Sequence, residues 1–353
     1  MCSSFAAPFA GTRRRGWSGG SPFDDGSVPK PRAKGAIPVN RKARFDVVGI
    51  GLNSVDFLCV LPRAPEPNTK TPMKSFLRQG GGQAATAMVA CTRLGLQAAY
   101  VGAVGDDPIG AISVDSLRAE GVNADGVVVK PGLRSQCAVV LIDSRSGERT
   151  ILWDREARLE EGDVKKDWVT GCRCLLVDGH NLPAEVQAAR WAREAGIPVV
   201  FDAERADSGS PGTGDLLALC DFVFGSQKFP ALLTGRSDPR GALKALRDTG
   251  PSVVGMTLGG EGALAYDGRE FYESEGFEVA LADTTGAGDV FHAGVCYSVL
   301  QGWEVQRTLD FSNAFAAMSC RSVGGRTGIP RLHEVEAFLR ERGRPLGGLS
   351  PRK

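Results

Sequence analysis

The residues with the clearest chemical potential lie in Ala282-Asp283-Thr284-Thr285-Gly286-Ala287-Gly288-Asp289-Val290-Phe291, where two glycines within three residues precede a helical pattern. A turn of this composition exposes successive backbone N–H groups at the positive end of the helix dipole, which makes an anion hole. Asp289 falls in the first helical turn. There the dipole favours its ionised form, so that it can take a proton from a hydroxyl at neutral pH. One short element thus offers a base for an attacking alcohol and donors for the charge on a transferring group, the two needs of phosphoryl transfer. Taken alone, the same residues also describe an ordinary glycine turn with an aspartate at a helix start.

Motifs for other chemistries fall away. Gly49-Ile50-Gly51-Leu52-Asn53-Ser54 lacks the third glycine of a dinucleotide fingerprint and runs on as a strand, and no G-x-x-x-x-G-K-[ST] phosphate loop occurs. Nine cysteines include no C-x-x-C pair; Cys172 and Cys174 have no partners placed for a zinc tetrahedron. The thiols read as buried residues of a reducing cytoplasm. Of the histidines, His292 lies one helical turn from Asp289 and reads as a packed, hydrogen-bonded side chain. His180 follows the strand pattern 175–178, where both substrate contact and a loop hydrogen bond stay open. Residues 1–44 hold nine Lys/Arg against two Asp, so the rest of this chain of net charge +1 is acidic. That excludes a duplex-binding surface, and no apolar run is long enough for a membrane-spanning helix.

These residues need a scaffold, and 353 residues suit one large α/β domain. Residues 1–43, with Arg13, Arg14 and Arg15 and with Pro22, Pro29, Pro31 and Pro38, read as a basic disordered tail, and 343–353 as a C-terminal one. Between them, apolar strand patterns begin at Phe45, 56–60, 98–104, 175–178, 198–202, 222–225, 252–258 and 263–266. They alternate with helical patterns at 84–94, 108–120, 184–195, 240–248, 289–301, 304–321 and 333–342, the first opened by Gly80-Gly81-Gly82. Strands separated by single helices imply right-handed crossovers and a mostly parallel sheet covered on both faces. The segments 57–78 and 136–153, the latter hairpin-like, form a small accessory sheet.

With these segments in place, the chain resembles the PfkB, or ribokinase-like, carbohydrate kinases over about residues 45–340. Asp283-Thr284-Thr285-Gly286-Ala287-Gly288-Asp289 is similar to the family's D-T-x-G-A-G-D, and Gly51-Leu52-Asn53-Ser54-Val55-Asp56 to its first G-x-x-x-x-D. Gly81-Gly82-Gln83-Ala84-Ala85-Thr86 with Arg93-Leu94-Gly95 resembles G-G-x-x-A-N…R-L-G, and Val104-Gly105-Asp106-Asp107-Pro108-Ile109-Gly110 resembles V-G-x-D-x-x-G. The motif wording is closest to the sulfofructose kinases. The resemblance implies a three-layer α/β fold with a mostly parallel central sheet and a small β-sheet lid. It also implies transfer of the γ-phosphoryl of ATP, carried with Mg²⁺, to a primary hydroxyl of a ketose, sulfosugar or sugar acid.

Residue by residue, it implies Asp289 as base and Gly286, Ala287 and Gly288 as anion hole. Asp56, Gly81, Gly82, Gln83 and Thr86 would hold the sugar. Apart from the resemblance, Lys70 in the Pro-rich link and His180 at a strand's carboxyl edge could meet an anionic group at its far end, with a solvated loop lysine as the alternative for Lys70. Thr257, Gly259 and Gly262 would meet the nucleotide, enclosed by Asn313, Gly324, Gly325 and Arg326. A monovalent cation such as K⁺ would sit near Asp283 and Thr285. Two motifs depart from the family: Thr86 replaces an Asn, and Ser226 and Phe229 stand where N-x-x-E is expected ahead of Leu233-Thr234-Gly235. Two alternatives share the motifs, a nucleoside kinase and a catalytically weak sugar-binding homologue. The expected partners are sugar, ATP and a second copy joined through the lid, with neither nucleic acid nor membrane.

Overall fold

A computed structural model describes residues 43–146, 149–204, 210–344 and 346. Apart from Ala43, Gly343, Arg344 and Leu346, the two expected tails lie outside the described residues, as does Gly147 of the hairpin turn.

Strand β1 (Phe45–Ile50) is almost wholly buried, as a central parallel strand requires. At Gly51 the chain leaves the main layer and enters β2 (Ser54–Leu61) of a second sheet, returning through β3 (Ser75–Gly81). Gly82 then starts helix α1 (Gln83–Arg93) with φ 88°, and a Cβ on it would lie 2.4 Å from the Asn53 Cα, so only glycine fits this approach. The main layer resumes with β4 (Ala98–Gly105), α2 (Pro108–Ala119), capped by Asp107, and β5 (Asn123–Lys130). The hairpin β6 (Cys137–Asp143) and β7 (Arg149–Asp154) completes the small sheet.

The chain then alternates as α3 (Lys166–Thr170), β8 (Cys172–Val177), α4 (Leu182–Glu194), β9 (Val199–Asp202), α5 (Thr213–Leu219), β10 (Phe222–Ser226), α6 (Phe229–Thr234), α7 (Pro239–Arg247) and β11 (Val253–Thr257). It closes with β12 (Gly262–Tyr266), β13 (Phe271–Glu275), α8 (Ala287–Gln301), α9 (Val305–Ser319) and α10 (Leu332–Glu341).

The large sheet has the order β13-β12-β11-β10-β9-β8-β1-β4-β5, parallel from β11 to β5, with β12 and β13 added antiparallel. Apolar clusters cover both faces: α1, α8, α9 and α10 supply one, and α4 to α7 the other. The small sheet, β3-β2-β6-β7, has its own core of Leu58, Ala138, Val140 and Ile142. The α/β architecture with an accessory sheet is therefore as the patterns indicated. The differences lie at its margins. β5 (NADGVVVK) and β13 are edge strands whose mixed patterns gave no apolar run, and α3 and α6 are too short for a helical period to register. Gly80 and Gly81 belong to β3, so the helix opens one residue after the glycine run begins to turn. Among the described residues no helix is long and apolar enough to cross a membrane, and eight cysteines are free thiols.

Candidate active site

A cleft of about 660 Å³ lies between the small sheet and the carboxyl ends of the parallel strands, the edge at which open α/β sheets bind ligands. Its floor is built by the chain's exits from those strands. Asp202 ends β9, Ser226 ends β10 and Thr257 ends β11, while Asp289 enters from the first turn of α8. Its roof is the inner face of the small sheet, with Asp56, Ala138, Val140, Ile151 and Trp153.

The turn ahead of α8 is held from below. Asp283, buried, accepts from the Thr285 N–H at 2.9 Å, the Thr285 hydroxyl at 2.8 Å and the Gly324 N–H at 2.9 Å. Gly286 is left-handed (φ 75°), and a Cβ there would stand 2.7 Å from the Gly325 carbonyl oxygen. The Ala287 N–H turns back to the Thr284 carbonyl at 3.3 Å, whereas Gly286 and Gly288 line the cleft. Gly286 and Gly288, with the unpaired N–H groups that any helix start leaves, thus face the cleft. The loop 324–326 packs under this turn and does not line the cleft, in contrast to the enclosing role expected for Gly324, Gly325 and Arg326.

Asp289 faces the cleft, with protein packed around it. Burial first, and then the charges of Asp202 and Asp178, push its carboxyl well above the ordinary carboxylate range, while Arg326 opposes them. The direction is opposite to that expected from the helix dipole alone, because burial first, and then carboxylates on three neighbouring elements, outweigh the dipole. Asp202 is itself raised to about 6, chiefly by burial, with His292 opposing. The His292 ring is buried and fully engaged: Nδ1 lies 2.7 Å from the Gly288 carbonyl and 3.3 Å from Asp202, and Nε2 lies 3.2 Å from the Phe224 carbonyl. It packs and braces, as its spacing indicated.

Arg326 is the countercharge. Its guanidinium, 3 % exposed, donates to the Gly81 carbonyl (2.9 Å), the Thr86 hydroxyl (3.2 Å) and the Ser116 hydroxyl (3.3 Å). Burial lowers its pKa to about 10 against the pull of Asp56 and Asp289. On the other flank Asp178 accepts from the Leu52, Ala84 and His180 N–H groups, fixing where β2, α1 and the β8–α4 loop meet.

Of the residues singled out from sequence, the cleft brings together Asp56, Gly82, Gln83, His180, Thr257, Gly259, Thr285, Gly286, Gly288 and Asp289. Asp56 is raised by burial and accepts from the Ser54 hydroxyl at 2.7 Å; the His180 Nε2 lies against the Gln83 amide oxygen. Others serve behind it. Gly81 backs Asp56, whose carboxylate a Cβ would strike; Thr86 binds Arg326; Gly262 makes the β12 turn, where Ser274 leaves no room for a side chain. Asn313 is buried and donates to the Ser274 carbonyl at 3.2 Å, so it secures β13 and does not reach the cleft. Lys70 lies exposed in the β2–β3 connection, outside the cleft lining, because the prolines around it carry that loop off the sheet. Phe229 is buried core, and Ser226 is left to face the cleft.

Several lining residues went unnoticed in the sequence: Gln136, Arg149, Arg155, Arg158, Asp202 and Glu204. A signal for two of them was present. In R-T-I-L-W-D-R-E, a period of two puts Arg149, Ile151, Trp153 and Arg155 on one face and Asp154 and Glu156 on the other, where Arg134 pairs with both acids.

The chain matches the family described as pfkB family carbohydrate kinase over residues 44–332. It is 29% identical to an ATP-dependent ribose-1-phosphate kinase of Halopiger xanaduensis over 84% of this chain and 98% of that protein. It is 25% identical to a nucleoside kinase of Methanothermobacter thermautotrophicus, over 82% and 94%. The solved structure of a ribokinase from Arabidopsis thaliana superposes with a TM-score of 0.74 at 22% identity, covering 84% of this chain and 99% of that one.

Proposed function

The chain belongs to the pfkB family of carbohydrate kinases, and from that premise we propose that it transfers the γ-phosphoryl group of ATP to a primary hydroxyl of a sugar or sugar derivative. One observation carries this reading: Asp289 and the Gly286–Gly288 turn open into the same cleft as Asp56, Gly82 and Gln83 on one side and Thr257 and Gly259 on the other. An acceptor held by the first group and a nucleotide by the second meet at Asp289.

In the reaction the acceptor oxygen forms a bond to the γ-phosphorus and its proton passes to Asp289. The bond from that phosphorus to the β–γ bridging oxygen breaks, and ADP leaves. A carboxylate with a raised pKa is the stronger base once ionised, which suits it to this proton. The N–H groups of Gly286 and Gly288 meet the charge on the transferring group. Among the described residues no three His, Cys, Asp or Glu side chains converge as a metal cage, which fits a Mg²⁺ carried on the nucleotide phosphates. Asp202 and Glu204, both facing the cleft, would hold its water shell, and the ion would neutralise phosphate charge. For a monovalent cation, Asp283 spends three of its roughly four acceptor sites on Thr285, through Oδ1, and Gly324, through Oδ2, and keeps one on Oδ2. A second copy of the chain covers the outer face of the lid.

Trp153, 53 % exposed on the cleft, offers a ring on which a base could stack, and this favours a nucleoside acceptor as the second reading. A coupled ADP-release screen with MgATP over ketoses, aldoses, sugar acids, sulfosugars and nucleosides decides. Release dependent on a sugar supports the reading. Release with nucleosides alone selects the second, and none with any acceptor overturns both.

A further inference from the structure

Glu185 is a buried acid that phosphoryl transfer does not call on. It sits in the first turn of α4 with no exposed surface, and Asp178, just after β8, has none either. The two carboxyls divide one loop between them. Glu185 accepts from the Gly179 N–H at 2.5 Å and the Asn181 N–H at 2.7 Å, and Asp178 accepts from the intervening His180 N–H at 3.1 Å. Asp178 also reaches across to the Leu52 N–H at 2.7 Å and the Ala84 N–H at 3.1 Å. Its carboxylate fills the space that a side chain at Gly51 would need. Leu52, Gln83 and His180 all line the cleft, so each of these N–H groups belongs to a lining residue or to its neighbour.

The two acids are also bonded to each other, through a side-chain hydrogen bond between Glu185 and Asp178. An ionised carboxylate only accepts, so this bond requires one proton between the two groups. Burial, and then the Asp178 charge, hold the Glu185 carboxyl well above its ordinary range against the opposing loop N–H groups, which places the proton on Glu185. The other titratable groups acting on the two acids are Tyr100 on β4, Cys220 at the end of α5, Asp202 ending β9 and Asp289 on α8. Tyr100 donates to the Gly51 carbonyl at 2.7 Å, and Arg155 and Arg326 exert their charge on it.

We infer that Asp178 and Glu185 are positioning residues for the acceptor: joined by one shared proton, they hold the 178–181 loop against Leu52 and the start of α1 and so set the acceptor side of the cleft. This rests on the kinase reading and adds to it the residues that shape that side. Neither acid lines the cleft, so both act through Leu52, Gln83 and His180, on acceptor binding more than on the phosphoryl step at Asp289.

The test uses Glu185→Gln, which donates to Asp178 without a titrating proton, and Glu185→Ala, which does not. Chemical denaturation reads the proton. As pH rises above the ordinary glutamate range, the unfolded chain gives up this proton and the folded chain keeps it. Wild type should therefore lose stability relative to Glu185→Gln, by up to about tenfold in the unfolding constant per pH unit. A difference that does not change with pH overturns the shared proton. Kinetics read the positioning, with MgATP and the sugar or nucleoside that gives the fastest ADP release. Glu185→Ala should raise KM for that acceptor at least about tenfold and lower kcat less, with Glu185→Gln between it and wild type. Loss of folded protein alone would lower kcat and leave KM in place. If the alanine variant does not fold, the rise in KM with glutamine decides. An acceptor KM that no folded variant moves overturns the positioning role and leaves the kinase reading standing. If no acceptor supports ADP release, the kinase reading fails and the positioning role falls with it, while denaturation still decides the shared proton.

Discussion

Asp289 works against its surroundings, and this makes its pH dependence readable. Replacing Asp289 by Asn should lower kcat at least about 10²-fold while ATP still binds, since positioned proton transfer contributes 10²–10⁴; turnover near wild type would remove it as base. Its neighbours set where it titrates. Asp202 raises it, so Asp202→Asn, which keeps the oxygen that accepts the Glu204 N–H at 3.2 Å, should move the acid limb of the kcat/KM profile to lower pH. The sign follows from charge: with one negative neighbour fewer, the ionised base persists into more acidic solution. A limb that stays in place, whatever its height, would detach Asp202 from the base. That Asp289, Gly286 and Gly288 would share one cleft was legible in the sequence because they lie within seven contiguous residues. Lys70 stayed open between pocket and solvent because nothing local told on which side of the sheet a proline-rich loop would run, and Arg326 was placed with the nucleotide because its partners Gly81, Thr86 and Ser116 lie more than 200 positions away.

At the scale of elements, Arg326 joins β3, α1 and α2 to the loop beneath the turn ahead of α8, so one side chain ties the Asp56 side of the cleft to the Asp289 side. Arg326→Met strands three buried acceptors and removes the countercharge of Asp56 and Asp289. It should destabilise the fold by about 3 kcal/mol in chemical denaturation. It should also move the acid limb upward, opposite to Asp202→Asn, since Arg326 holds the Asp289 carboxyl down. A stable variant with an unmoved limb would make Arg326 a bystander. Gly286→Ala tests the turn itself. The left-handed backbone and the close Gly325 carbonyl leave a methyl no place, so a loss of about 1–3 kcal/mol is expected together with a fall in kcat at least about tenfold. The central elements were readable because they are apolar and long, from β1 to α9. The edge strands β5 and β13 escaped notice because a strand paired on one side is half wet and carries no uninterrupted apolar run. The alternation that aims Arg149 and Arg155 inward was written plainly in β7, but only knowledge of which face met the cleft gave it meaning.

The whole molecule leaves one surface unaccounted for. The register pairs Phe57 with Val139 and Val139 with Leu152, and it sets Phe76 beside Cys59 on the same face of the small sheet. That face points away from the cleft, whose lining takes the alternate residues Asp56, Ala138, Val140, Ile151 and Trp153. Phe76 is 53 % exposed and Leu152 56 %, and Phe57 and Phe76 stack at 6.1 Å, so the lid presents an aromatic and aliphatic patch to solvent. A four-stranded sheet with apolar residues on both faces needs cover on both, and an identical sheet related by a two-fold axis supplies a self-complementary one. Sedimentation at micromolar concentrations should therefore find a dimer. The double substitution Phe76→Glu and Leu152→Glu, which touches only the outer face, should yield a monomer. Because the inner face of the same strands carries Asp56 and Arg149, loosening the lid should also raise KM for the acceptor more than it lowers kcat. A wild-type monomer, or a dimer indifferent to both glutamates, would mean that the patch is covered by something other than a second lid.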